Sequence, residues 1–250
     1  MTRALRIVAD ARAVAGEAAT GLVSRALDAT AARGRFTVAL SGGSTPRLLY
    51  ATLAARVDSA APGTTAVPWD QLHLFWGDER AVPPSHPDSN FAVTRELLLA
   101  HLSVPDANVH RILAENAPVE AAADYETAIR RHFGLGPSDV PVFDLVYLGL
   151  GSDMHTASLV PGSPAVSERE RLVVAPWVES LSAHRITMTP LVFNAARTVI
   201  FLVTGREKAP ALKEVLETEP DPERRPAQSI HPSPGELIWL VDEAAASTLS

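Results

Sequence analysis

Residues 143–164 read FDLVYLGLGSDMHTASLVPGSP. The run Phe143-Asp144-Leu145-Val146-Tyr147-Leu148 has the apolar continuity of a strand covered on both faces, and it stops at Gly149 and Gly151. Asp153 and His155 follow at once. An open α/β sheet holds its ligand in the crevice outside the carboxyl ends of its strands, and imidazole titrates close enough to neutrality to serve there as a base. The segment therefore predicts a buried strand of an α/β sheet with a catalytic group at its end. Taken alone, His155 is equally a residue that hydrogen-bonds its own turn.

The same alternation recurs outward from this segment. Strands are expected at 36–40, 72–76 and 198–204, with shorter ones at 109–113, 172–174, 185–188 and 238–241. Helices are expected over 46–57, where Leu48, Leu49, Leu53 and Val57 share one side, from a capping Asn90 to about Leu102, and over 119–133 and 206–216. Asp242 is placed to cap a short terminal helix. Unbroken apolar strands alternating with helices give the α/β class, a mostly parallel, Rossmann-like open sheet with helices on both faces. The loops 60–68 and 218–226 are rich in Pro, Gly and charge, but neither separates two strand sets, so 1–250 reads as a single domain.

Other strand ends carry candidate chemistry. Ser41-Gly42-Gly43-Ser44-Thr45-Pro46 joins glycines that admit a close backbone approach to a helix start that Ser44 or Thr45 can cap and Pro46 suits. The N–H groups of such a start attract an anion. The pattern is neither GxGxxG nor GxxxxGK[ST], so neither a dinucleotide nor a nucleoside triphosphate is indicated. Gly77-Asp78-Glu79-Arg80 places three charges after a strand, which by itself reads best as a solvated loop with a local ion pair. Thr204-Gly205-Arg206-Glu207-Lys208 puts two cations in the first turn of a helix, where they oppose the helix dipole unless an anion lies between them and the N–H groups. Arg185 is a further cation at a strand start, and surface or ion-paired basic side chains would give the same pattern.

Composition narrows the function classes. The chain has 250 residues, 46% hydrophobic and 20% charged, an ordinary globular balance able to bury a sizeable core. A net charge of -7 argues against nucleic-acid and anionic-membrane partners but leaves room for a local basic pocket. The absence of cysteine excludes disulfides, thiolate metal sites and cysteine nucleophiles. The opening MTRALRIVADARAVAG lacks a signal-peptide core and no apolar run reaches spanning length, so a soluble cytoplasmic protein is expected. His73, His86, His101, His110, His132, His184 and His231 show no ligand spacing and receive no role, and no metal site is expected. No GxSxG elbow is present for a serine hydrolase.

Taken in order, SGGSTP, WGDER, PPSHPDSNF, FDLVYLGLGSDMHTASLVPG, RITMT, TGREK and QSI resemble the 6-phosphogluconolactonase family over nearly the whole chain. The resemblance implies the fold of glucosamine-6-phosphate deaminase and ribose-5-phosphate isomerase. It also implies hydrolysis of 6-phosphogluconolactone to 6-phosphogluconate, a step of the pentose phosphate pathway, without metal or organic cofactor. Related deaminases usually carry tyrosine at the place of Arg80 and glutamate at that of Val160, and both differences favour the lactonase.

On this reading His155 is the general base, Asp153 helps orient the site, and Arg80 polarises the lactone carbonyl or binds hydroxyls. Gly42, Gly43, Ser44, Thr45, Arg185 and Lys208 hold the phosphate. The expected partner is a phosphorylated sugar lactone, with no nucleic acid and no membrane, and the expected state is a monomer or weak homodimer. A deaminase or isomerase on the same fold, and a non-catalytic sugar-phosphate sensor, are the alternatives. Where the family commonly has glycine this chain has Met154, which is expected in an ordinary backbone region, packed against the loop wall clear of the cleft.

Overall fold

The computed structural model describes residues 2–58 and 67–250, so most of the Pro- and Gly-rich loop 60–68 lies outside the described residues. Seven strands form one sheet: β1 (Thr2–Val8), β2 (Phe36–Leu40), β3 (Leu72–Trp76), β5 (Val109–His110), β6 (Leu145–Gly149), β10 (Thr198–Val203) and β11 (Glu236–Asp242). Their order is β1-β11-β10-β6-β2-β3-β5, and every neighbouring pair is parallel. All residues of β2 and β10 are buried, as expected for strands covered on both faces.

From β2 the chain builds outward through β3 to β5, then returns to the other side of β2 and builds through β6 and β10 to β11. The loops after β2 and β6 therefore diverge, and the crevice between them is the topological switch point where such sheets bind ligands. At the opposite ends of these two strands the buried Asp144 accepts the backbone N–H of Thr37 (2.9 Å), the Thr37 hydroxyl (3.0 Å) and Arg33 (2.6 Å). This carboxylate fixes the register of β6 against β2.

A second, antiparallel sheet stands on the first. Gly77 leads from β3 into β4 (Asp78–Arg80), which pairs with β9 (Ala183–Met188), and β9 also pairs with β7 (Val173–Val174) and β8 (Trp177–Val178). The segment read as a solvated loop is thus a strand with Asp78 and Glu79 buried. Glu79 explains this. Its carboxylate accepts the N–H groups of Arg80, Asn90 and Phe91 and the Ser89 hydroxyl at 2.7–3.0 Å, replacing the water it loses. Burial nevertheless pushes its pKa up, and the backbone N–H groups offset part of that rise.

The helices are α1 (Ala11–Arg33), α2 (Ser44–Asp58), α3 (Asn90–Leu97), α4 (Pro118–Phe133), α5 (Pro190–Ala195) and α6 (Ala209–Glu217). Three of them differ from the expected spans. Ser89, rather than Asn90, caps α3 through the N–H of Ala92 (3.1 Å), and α3 stops at Leu97 before a short 3-10 turn at Leu99–His101. The Arg206–Lys208 stretch is a 3-10 turn that precedes α6. Neither Ser44 nor Thr45 caps α2, because α2 starts at Ser44 and the Thr45 hydroxyl bonds the Thr204 hydroxyl at 2.7 Å instead. Asp242 caps a terminal turn through the Ala245 N–H (2.7 Å), and also accepts the Gly205 N–H, tying the end of β11 to the loop after β10. No described helix is long and apolar enough to cross a membrane.

Candidate active site

At the switch point lies a cleft of about 710 Å³ including its open mouth, lined by the loops after β2, β3, β6 and β10. Gly42, Gly43, Ser44, Thr45, Arg80, His155 and Lys208 all border it, whereas Asp153 and Arg185 are not among the residues that line it.

The loop after β6 is built to present His155. The Gly151 N–H donates to the His155 carbonyl (2.8 Å) and the Met154 N–H to the Gly151 carbonyl (3.0 Å), closing a tight turn. Asp153 Oδ1 lies 2.5 Å from His155 Nδ1 and also accepts the His155 backbone N–H at 3.3 Å. That bond holds the Asp153 carboxyl below the usual carboxylate range. With Nδ1–H donating to the Asp153 carboxylate, Nε2 carries the lone pair and is the basic atom. Gly151 is required here, because a Cβ on it would lie 2.1 Å from His155 Nδ1 and 2.6 Å from Asp153 Oδ1.

Met154 departs from expectation. Its φ is 67°, in the left-handed region that glycine adopts freely. The surrounding bonds impose this conformation: the N–H of Met154 closes the turn onto Gly151, its carbonyl accepts the Ala227 N–H at 3.1 Å, and Asp153 must fold back onto His155. The side chain, by contrast, behaves as expected. It is half-buried against the core and is not among the residues bordering the cleft.

Several anion-attracting elements border the cleft, and Arg185 neighbours one of them, Arg80. The N-terminus of α2 opens onto it through Gly42 and Gly43, and Gly43 has φ 110°. A Cβ at Gly42 would sit 1.8 Å from Asn90 Oδ1, so only glycine allows this packing. The Ser41 hydroxyl beside it is buried without a hydrogen-bond partner among the described residues. Arg80 and Arg185 face each other directly across the β4–β9 ladder, and among the described residues neither takes part in a salt bridge. Like charges in that position repel. Burial, and after it the neighbouring Arg80, push the Arg185 guanidinium below its usual pKa. Arg80 is steadied by donating to the Asp88 carbonyl. An anion bound between Arg80 and Arg185 would offset their mutual repulsion.

Asp78, one of the three charges that follow β3 in the sequence, borders the cleft together with Asn90 and Thr204. Asp78 is buried at the cleft, accepting from Ser158 Oγ (2.7 Å), while its carbonyl accepts the Asn90 side-chain amide (2.9 Å). Thr204 borders the cleft through its pairing with Thr45. The one available signal was that Asp78 and Asn90 follow predicted strand and helix boundaries. What distinguished Asp78 from Glu79 was which of them folds back onto α3.

Comparison with known proteins places the chain in a family. The family model for glucosamine-6-phosphate isomerases/6-phosphogluconolactonase matches residues 9–239. A 6-phosphogluconolactonase of Nostoc sp. is 42% identical over 240 residues, covering 92% of this chain and 95% of that protein. The structure of a 6-phosphogluconolactonase from Trypanosoma cruzi superposes with a TM-score of 0.85 at 29% identity, covering 100% of this chain and 98% of that one. A monomeric glucosamine-6-phosphate deaminase superposes at 0.80 with 17% identity, covering 99% of each chain, which shows a common fold alone. The chain belongs to the glucosamine-6-phosphate isomerase/6-phosphogluconolactonase family.

Proposed function

We propose that the chain is a 6-phosphogluconolactonase, a hydrolase that opens 6-phosphoglucono-1,5-lactone to 6-phosphogluconate in the pentose phosphate pathway. The observation that carries this reading is His155, anchored through Nδ1 on Asp153 and bordering a cleft whose other walls gather unpaired cations and helix N–H groups. His155 Nε2 takes a proton from water as the water oxygen bonds to the lactone carbonyl carbon. Collapse of the tetrahedral intermediate breaks the bond from that carbon to the ring oxygen, which leaves as a hydroxyl with the proton returned by His155. The carboxylic acid so formed ionises at neutral pH.

Asp153 keeps the imidazole in the productive tautomer and stabilises the imidazolium between the two steps. Arg80 meets the carbonyl or hydroxyl oxygens of the sugar. Gly42, Gly43, Ser44, Thr45, Arg185 and Lys208 hold the phosphate, and this remote binding energy keeps the carbonyl near the base. The reading extends to a single 1–250 domain, supported by a hydrophobic core that runs through both sheets. It also extends to a cytoplasmic monomer or weak homodimer whose reaction uses no metal or organic cofactor.

The test is an assay of purified protein on freshly generated 6-phosphogluconolactone, with spontaneous hydrolysis subtracted, beside glucosamine 6-phosphate. Rapid lactone opening with no ammonia release is expected. Ammonia release without lactone opening would overturn the reading, and so would tight binding of 6-phosphogluconate with no turnover of either compound.

A further inference from the structure

Away from the cleft, three histidines from distant parts of the chain meet at the β5 edge of the main sheet. His73 lies on β3, His110 on β5, and His132 in the last turn of α4, which packs over this part of the sheet. One ring nitrogen from each lies within 4.8 Å of the other two, and all three residues are half-buried. His73 Nδ1 and His110 Nε2 are 3.3 Å apart. The His132 ring sits 4.4 Å from the His73 ring and 4.9 Å from that of His110, centre to centre, and its Nε2 is buried with no hydrogen-bond partner. Phe75 and Phe133 pack around the three rings.

Simple packing does not account for this arrangement. Each neutral imidazole carries one N–H and one lone pair, and His73 and His110 can satisfy one of each between them, yet the buried Nε2 of His132 is left dry and unpaired among the described residues. Two ligand nitrogens about 2.05 Å from a tetrahedral ion are roughly 3.3 Å apart, the spacing already present between His73 and His110. We propose that His73, His110 and His132 form a site for a divalent transition metal of the zinc, cobalt or nickel class, with water completing the tetrahedron. An all-imidazole set with no carboxylate disfavours calcium and magnesium. Rotation of one ring brings the third nitrogen in from its 4.8 Å limit.

The ion would staple the two-residue strand β5 and the end of α4 to β3, near the amino end of β3 and roughly 13–17 Å along the strands from the cleft. It is therefore structural and independent of the hydrolase reading. Arg35, whose charge reaches His73 and His132, opposes a dication and holds the affinity below that of a thiolate zinc site.

The test titrates Co²⁺ and then Zn²⁺ into chelator-treated full-length protein. Binding of one Co²⁺ per chain with the visible bands of a tetrahedral ion, displaced by Zn²⁺, is expected, together with a rise in Tm on Zn²⁺ addition. His110→Ala should weaken Zn²⁺ at least 10-fold and abolish the Tm rise. His155→Ala should leave both unchanged, and Arg35→Gln should tighten binding. Imidazole ¹⁵N shifts of the wild type give a readout that requires no variant to fold, since the nitrogens of His73, His110 and His132 should move on Zn²⁺ addition. Unmoved shifts at those three residues would overturn the proposal. So would binding that survives His110→Ala, or binding that disappears in His155→Ala and thereby places the ion in the cleft.

Discussion

Replacing Met154 by alanine and by glycine separates backbone strain from side-chain packing. Both variants lose the half-buried thioether, so that loss cancels in the comparison. Only alanine retains a Cβ at φ 67°. Holding an L-residue in the left-handed region costs about 1–2 kcal/mol, whereas glycine loses about 0.5–1 kcal/mol through the added freedom of the unfolded chain. The difference leaves Met154→Gly more stable than Met154→Ala by about 0.5–1 kcal/mol, the reverse of the order at an ordinary helical or extended position. For a chain of this size, that corresponds to a Tm higher by roughly 1–4 °C. Urea unfolding of the two variants side by side reads the sign directly, with equal m-values as the check on two-state behaviour. Because the Met154 side chain stays clear of the cleft, kcat should remain near that of the wild type in both. An alanine variant more stable than the glycine variant would refute the argument that the turn onto Gly151 forces a strained residue at this position.

Arg185→Ala and Lys208→Ala should each lower kcat/KM on the phosphorylated lactone by about 1.5–3 kcal/mol of lost charged hydrogen bonding, roughly 10- to 150-fold. Unphosphorylated gluconolactone should be a poor substrate that scarcely responds to either change, and equal losses on both lactones would remove these residues from phosphate binding. Gly151→Ala must push a Cβ into the His155–Asp153 pair, so the variant should fold yet lose at least 10-fold in kcat as the imidazole is displaced. A variant with full activity would show that the pairing is dispensable. Burial, then the neighbouring histidines and finally, for His132, Arg35 lower His110 to about 4 and His132 to about 3, from an ordinary 6.5. Between those values and 6.5 the unfolded chain binds protons that the folded chain refuses, so metal-free protein has its full stability above pH 6.5 and loses it as the pH falls. Urea midpoints from pH 8 to 4 should fall less steeply in His132→Phe than in the wild type, and parallel curves would contradict the assigned shifts.

Residues that face one kind of environment were legible in the sequence. The strands β2, β3, β6 and β10 are mostly apolar, with few polar side chains such as Thr37, His73 and Thr198, so their burial on both faces is written largely into composition. The strand β1 is an edge with Arg3 and Arg6 interspersed, and α1 buries mainly alanines, so neither offers the contrast between faces that marks an element. The glycine-rich turns after β2 and β6 announced a cleft because close backbone approach demands glycine. The sequence could not show that both Asp78 and Glu79 are buried, since that depends on α3 presenting its N–H groups to Glu79 and on Ser158 and Asn90 reaching Asp78. Met154 went astray for a similar reason. Positive φ has a local cost, but the bonds that Met154 donates to Gly151 and accepts from Ala227, with the Asp153–His155 pair, hold it there. The histidine cluster has no local spacing at all, because β3, β5 and α4 meet only in the folded chain.

The central claim is that His155, oriented by Asp153, activates water against a phosphorylated lactone. The most direct measurement is the initial rate of 6-phosphogluconolactone hydrolysis by the wild type and by His155→Ala, each corrected for spontaneous opening, with circular dichroism showing the variant folded. The wild type should greatly exceed the spontaneous rate, and the variant should lose about 10²–10⁴-fold in kcat with a KM that changes little. A folded His155→Ala protein with near-wild-type kcat would contradict the account.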